Sequence, residues 1–398
     1  MKNIFDFKNL KLPQELPDFY GGNDLHFKKK EKIQKLIKEN DFEALILTKD
    51  ESVRYATDFY TKGFRPFNEI EYMTIIPRGS EPVLGYSSAS DTFRVRMRNV
   101  IKDYRKLPKI NEWHKFIAMI LSNFNISSGR IGIDFLPYQI YISLSKELPK
   151  VDFFDITKIW DNMLAVKLPE EIEIIKKNCE IVEIGLDAIH NALKIGATEI
   201  EVSAAAEYAM RMKNSEFLPF IFDVASGYNT SIFGRLASQK RLRYGELVIA
   251  DIGAINKGYI AEFARTFIIG KPNNEQIKIY TTCYEALMET IRYIKPGITC
   301  NELDSISRDV INKRGFSKYQ HIGNTGHQVG ANLHGEPLVD RGVEDKLVPN
   351  MIINLEPRVI VYDRFDIGGV QLEDCVLVTE QGHELLSHFR YEDVLLGK

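Results

Sequence analysis

Cysteine is scarce in this 398-residue chain. Cys179, Cys283, Cys300 and Cys375 lie far apart, and no two form a CxxC pair. Such spacing disfavours both a disulfide framework and a thiolate zinc site, so the four are expected to be reduced core residues of a cytosolic protein. No hydrophobic run approaches the ~20 residues that span a bilayer, so no membrane segment is expected. The opening MKNIFDFKNLKLPQELPDFYGG carries acids and prolines but no apolar stretch, which argues against a signal peptide. An excess of either charge is missing too. Lysine and arginine total 52 against 55 acids, a formal net charge of −3. That balance argues against nucleic acid as the main partner. Internal repeats and low-complexity tracts are also absent from the sequence.

What is present is a soluble, globular composition, 44% hydrophobic and 27% charged. The length exceeds one ordinary core, so two domains are expected. Residues 1–25 read as an extended lead-in broken by Pro13, Pro17 and Gly21-Gly22. Helical patterns at 27–39, 112–123 and 137–148 then alternate with strand patterns at 44–48, 72–77, 82–85, 130–134 and 151–155. This alternation predicts an α/β domain over residues 1–160. Arg94, Arg96 and Arg98 read as the wet face of a strand or helix end rather than an anion site. Residues 160–167 look like the connection, and Pro169 is well placed to open a long helix. Further helices are predicted at 198–213, 274–294 and 300–314, with strands at 217–225 and beyond residue 320. Residues 161–398 therefore read as helices laid on a mostly antiparallel sheet, and the class is α+β.

The centre of that domain is LVIADIGAINKGYIAEFARTFIIG, residues 247–270. Two apolar, β-branched runs flank Asn256, Lys257 and Gly258, and the glycine is free to take positive φ. With the turn centred between Asn256 and Lys257, paired residue numbers add to 513, which sets Asp251 opposite Glu262. Their Cβ atoms would then be roughly 5 Å apart. Buried carboxylates that close repel unless one is protonated or a cation lies between them. A pair of metal ions roughly 3.5–4 Å apart suits such a gap. A surface hairpin with two solvated acids is the alternative, and Asp251 inside an apolar run argues against it.

The pattern repeats downstream. NMIINLEPRVIV and GVQLEDCVLVT are β-rich runs carrying Glu356 and Glu373, whose numbers add to 729. They would face each other if the turn is centred near Arg364 and Phe365. Between the hairpins lies GNTGHQVGANLHGEPL, with His327 and His334 seven residues apart. That spacing puts them on opposite faces of one straight strand, so a bend at Gly330 is needed to unite them. Asp251, Glu262, Glu356 and Glu373 supply four negative charges, which two divalent cations would balance, with His327 as a neutral fifth ligand. Such a donor set suits manganese, cobalt or iron at least as well as zinc.

At these residues the chain resembles the pita-bread metallopeptidase family (M24), which includes methionine aminopeptidases, proline aminopeptidases, prolidases and the metal-free creatinases. DIGAINKGYIAEFARTF resembles DxGxxxxGYxxDxxRTF; GHQVGANLH resembles GHGIGxxxH; LEP resembles IEP; and QLEDCVLVT resembles RIEDxVLVT. The resemblance implies Asp251, Glu262, His327, Glu356 and Glu373 as metal ligands, Glu356 also as proton shuttle and Glu373 as the bridging ligand. It implies His334 as a catalytic and substrate-contacting residue, and His321 is a second candidate for a substrate contact. A creatinase-like N-terminal domain and a homodimer are implied as well, while the cytoplasmic location is expected from the cysteine usage. The implied activity is hydrolysis of the Xaa-Pro bond in dipeptides or short proline-containing peptides, through a hydroxide bridging two divalent ions. Three positions depart from the pattern: Glu262 replaces Asp, Gly234 stands where a histidine is usual, and Gln371 stands where arginine is usual. These keep two alternatives open, a hydrolase of a non-peptide C–N bond and a non-catalytic member on a degenerate scaffold.

Overall fold

The structure is a computed structural model and describes residues 22–59, 70–88, 91–96, 100–320 and 322–398. Most of the lead-in, Arg98 and His321 lie outside the described residues. The chain divides into two compact units, Met1–Met163 and Leu164–Lys398. No described helix is long and apolar enough to cross a membrane.

Among the described residues, the first unit is built on six strands: β1 (Phe42–Leu47), β2 (Tyr72–Pro77), β3 (Val83–Tyr86), β4 (Asp103–Lys106), β5 (Gly129–Ile133) and β6 (Val151–Asp155). Their order is β4-β3-β2-β1-β5-β6. Central β1 is buried except at Glu43, as Phe42 and the apolar run 44–47 require. The first helix, Gly22–Glu39, starts earlier than its apolar stripe suggests. The helix Asp50–Thr57 has no counterpart in the sequence reading. At eight residues it is too short for a periodic signal, and a distant group organises its start. The Asp134 carboxylate accepts the backbone N–H of Thr48 at 2.8 Å and of Lys49 at 3.2 Å. Arg94 lies near the end of a short helix, Asp91–Arg96, but is only partly exposed. It pairs with the fully buried Asp91 at 2.8 Å and lies over the Phe59 ring. Residues 157–165 are also a helix rather than a connection, with Trp160 buried. Near the start of the first helix, Lys29 and His26 both pair with the buried Asp58.

In the second unit the helices Pro169–Ala192, Glu199–Arg211, Asn274–Tyr293 and Cys300–Lys313 appear where their patterns place them. Three begin with capping boxes, Thr198/Glu201, Asn273/Gln276 and Thr299/Glu302, which satisfy the first orphan N–H groups locally. The strands are β7 (Asp223–Ser226), β8 (Leu247–Asn256), β9 (Tyr259–Ile268), β10 (Gly326–Gln328), β11 (Gly335–Val339), β12 (Ile352–Leu355), β13 (Arg358–Ile360), β14 (Gly369–Gln371), β15 (Asp374–Val378) and β16 (His383–Leu385). They form a β7-β8-β9 sheet, a β13-β14 pair and a five-stranded β11-β10-β12-β15-β16 sheet, all antiparallel. The strand expected over 217–225 contracts to β7, because Pro219 removes a ladder donor from its first half.

The register of the first hairpin corrects the prediction. Asn256 pairs with Tyr259, Asp251 with Ala264, and Gly253 with Glu262, so paired numbers add to 515. The two-residue turn is Lys257-Gly258, with φ of +51° and +75°. Both central residues are therefore left-handed, as the tightest hairpin turns require. A slip of two residues preserves the face, so Glu262 stays on the Asp251 side as a diagonal neighbour. In the second hairpin, β12–β15 and β13–β14 share one register whose paired numbers add to 729. Glu356 and Glu373 face each other in that register, but they lie in two-residue interruptions between strands.

Candidate metal centre

Those interruptions draw the site together. Freed from the hairpin ladder, Glu356 N–H donates to Thr325 O at 2.8 Å, beside β10, and Glu373 N–H donates to Ala264 O at 3.0 Å, on β9. Each acid is thereby tied to the segment that carries the next candidate ligand. Asn354, in register with His327, adds a second tie. Its side-chain amide donates to Glu262 O at 3.0 Å and to Glu373 Oε1 at 2.9 Å. Gly326 permits the close approach of β10 to β12, since a Cβ there would lie 2.1 Å from Asn354 O.

The five residues expected as ligands are all buried, from 1% exposure at His327 and Glu373 to 8% at Asp251. His327 Nε2 lies 3.5 Å from Glu262 Oε1, 3.8 Å from Glu356 Oε1 and 4.0 Å from Glu373 Oε1. Nδ1 of the same ring is 3.2 Å from Gln328 O. A carbonyl only accepts, so Nδ1 carries the proton and Nε2 presents a lone pair to the three acids. Burial pushes the His327 pKa down to about 4, which keeps the ring neutral. His334 is exposed, and its ring centroid sits 4.3 Å from that of His327, edge to face. The bend that unites them runs through Gly330, at φ +153°, and a register shift between His327 and Gln328.

Burial, reinforced by mutual repulsion, raises the carboxyl pKa values: Asp251 to about 6, and Glu262 and Glu373 well above the usual range. Among the described residues, Asp251 Oδ1, Glu262 Oε1, His327 Nε2 and Glu373 Oε2 have no hydrogen-bond partner. Four buried acceptors without donors carry a large desolvation penalty. A divalent cation removes that penalty and reverses the pKa logic by favouring the charged acids. Ligand atoms of Glu262, His327 and His334 lie within 4.8 Å of one another, as do those of His327, Glu356 and Glu373. The donors present therefore fit divalent metal ions.

Two features escaped the sequence reading. Arg358 reaches into the cluster, where it binds Glu356 Oε2 and lies 3.9 Å from Asp251 Oδ2. Its signal was available, since it pairs with Gln371 in the register whose numbers add to 729. Asp223 is paired with Asp251 across β7–β8, and burial, then Asp251, raises its pKa to about 6. Gln371 donates to Asp251 Oδ2 at 2.7 Å. Gly234, at φ +62°, joins Asp223, Phe233, Arg235, Arg358 and Gln371 in lining a cavity beside the acids.

Residues 173–380 match metallopeptidase family M24, and residues 29–164 match the creatinase/prolidase N-terminal domain. The Xaa-Pro dipeptidase of Pyrococcus horikoshii is 32% identical over 364 residues, covering 90% of this chain and 97% of the relative. That of Pyrococcus furiosus is 32% identical over 369 residues, with 90% and 98% covered. Among solved structures, the prolidase from Pyrococcus horikoshii superposes with a TM-score of 0.78 at 30% identity, covering 92% of this chain and 99% of that one. The Xaa-Pro dipeptidase from Bacillus anthracis superposes with a TM-score of 0.80 at 25% identity, again over 92% and 99%. The chain thus belongs to metallopeptidase family M24 and is a metallopeptidase, with a creatinase-like N-terminal domain ahead of an α+β catalytic domain.

Proposed function

We propose that this metallopeptidase cleaves the Xaa-Pro bond of dipeptides or short peptides with two divalent ions, manganese, cobalt, iron or zinc, held by Asp251, Glu262, His327, Glu356 and Glu373. The observation that carries the reading is the set of buried, orphaned acceptor atoms on four of these residues, with His327 Nε2 within 4.0 Å of carboxylate oxygens of Glu262, Glu356 and Glu373. Bound there, the ions would lower the pKa of a water toward neutrality and polarise the scissile carbonyl. Glu356 has one oxygen toward His327 and the other on Arg358, so its carboxylate is held in place to carry a proton to the leaving nitrogen. His334 has its pKa pushed down to about 4, chiefly by the partial burial of its ring. It is therefore a neutral N–H donor at pH 7, suited to stabilise charge growing on the carbonyl oxygen. The preference for proline is supported by the Xaa-Pro dipeptidases that the chain resembles over nearly its whole length. The reading includes a homodimer and a cytoplasmic location, the latter supported by four buried, unpaired cysteines.

A second reading, hydrolysis of a non-peptide C–N bond, draws on the cavity in which Gly234 leaves open space and Asp223 and Arg358 introduce charge. Chelated protein should be assayed on Xaa-Pro dipeptides, longer Xaa-Pro peptides and small ureido compounds, with each metal added back. Activity on the peptides that returns with metal is expected. Glu356→Ala or His334→Ala should lower kcat by about 10²–10⁴-fold with the fold intact. Full activity in either variant would contradict the assigned roles.

A further inference from the structure

Arg358 is anchored from three sides. Its Nη2 binds Glu356 Oε2 and lies 3.9 Å from Asp251 Oδ2, with the side chain only 15% exposed. Its guanidinium lies over the Phe233 ring, 4.5 Å from the centroid. Its backbone is in ladder register with Gln371, whose amide donates to the same Asp251 oxygen at 2.7 Å. A surface arginine that strays toward acids has none of these restraints. Here the two oxygens of Glu356 are divided, Oε1 toward His327 and Oε2 on the guanidinium.

We propose that Arg358 is a resident cation of the acid cluster: it holds Glu356 by one oxygen and its charge sets how tightly the cluster takes up divalent ions. The inference rests on the ligand assignment of the preceding section. Four ionised carboxylates carry four negative charges, and the guanidinium leaves a net three. A fixed positive charge about 4 Å from a ligand oxygen repels a divalent ion on that oxygen, and burial keeps solvent from screening it. Residues directly opposite in an antiparallel pair project to the same face. Position 371 can therefore present the same charge to the same acids from the neighbouring strand.

The test is isothermal titration of the chelated full-length protein with manganese chloride, with circular dichroism to confirm the fold. Arg358→Gln is expected to take up manganese at least about tenfold more tightly in its weaker step. Arg358→Lys and the double variant Arg358→Gln/Gln371→Arg should return to the wild-type affinity. A lost packing contact would not be rescued by charge from the opposite strand. Gln371→Arg alone adds a second cation and should weaken uptake, which keeps the proposal testable if Arg358→Gln does not fold. Unchanged or weaker uptake in Arg358→Gln, or no weakening in Gln371→Arg, would overturn the role of Arg358 while leaving the ligand assignment standing. Failure of every form to take up manganese would overturn the ligand assignment, and this proposal with it.

Discussion

Glu373→Gln should change stability in opposite directions with and without metal. In the wild type, Glu373 Oε1 accepts from Asn354 while Oε2 is buried without a partner. Asp251, Glu262 and Glu356 all press on the same carboxyl and, with burial, raise its pKa well above the usual range. Glutamine has the same shape. Its oxygen can keep the Asn354 bond, and its NH₂ replaces an orphan acceptor with a donor among bare acceptors. Removing one buried, unsatisfied and mutually repelled acid should stabilise the chelated protein by about 1–3 kcal/mol. Metal binding to the wild type should stabilise by about 2.7 kcal/mol per site at 100 times Kd, roughly 5 kcal/mol for two sites. If Glu373 is the bridging ligand of the proposed two-ion site, its loss should remove most of that gain. Urea denaturation followed by circular dichroism, in chelator and in excess manganese, measures both quantities. A variant less stable than wild type in chelator would refute the claim that these acids are uncompensated. One that keeps the full metal-dependent gain would refute Glu373 as a ligand.

Two further predictions concern groups outside the ligand set. Buried Glu199 accepts from Ser226 N at 2.7 Å, Ser226 Oγ at 2.8 Å, Asn229 Nδ2 at 2.9 Å, Ser238 N at 3.1 Å and Ser238 Oγ at 2.6 Å. It thus closes the loop that presents Phe233 and Gly234 to the cavity. Glu199→Ala should cost at least about 3 kcal/mol in a denaturation curve and raise KM more than it lowers kcat; an unchanged KM would contradict the loop-closing role. In the first unit, burial alone would raise the Asp58 pKa, but Lys29 and His26 overrule it and the folded value lies below the ordinary one. Its stabilising contribution is therefore complete above about pH 4 and is lost as pH falls through the depressed value. Asp58→Asn should cost about 3–5 kcal/mol at pH 7 by leaving the Lys29 charge buried and uncompensated, and should flatten the acid limb of the stability profile; a wild-type acid limb would refute it.

Much of the second unit was legible because its signals are local. The helix starts expected at 198, 274 and 300 fall on or next to Thr198, Asn273 and Thr299, where four-residue capping boxes open the helices. Turn chemistry around Gly258 marked the hairpin, although Lys257 rather than Asn256 took the first left-handed position, which moved the register by two. Short elements were not legible. The helix Asp50–Thr57 depends on Asp134, more than seventy residues away, and Arg94 depends on a buried acid that no periodicity reveals.

The sequence by itself determined the kinds of donor present, the face on which each lies and the hairpin that carries it. Alternation along a strand is a property of the backbone, so Asp251 and Glu262 share a face whether paired numbers add to 513 or 515. Only the tertiary structure decided that the hairpins meet. The N–H groups of Glu356 and Glu373 leave their own ladder for Thr325 and Ala264, and buried polar groups must find partners wherever the chain provides them. Tertiary structure also decided the balance of charge at the centre. An arginine two residues after a glutamate reads as an ordinary surface pair until packing against Phe233 and the register with Gln371 turn it inward.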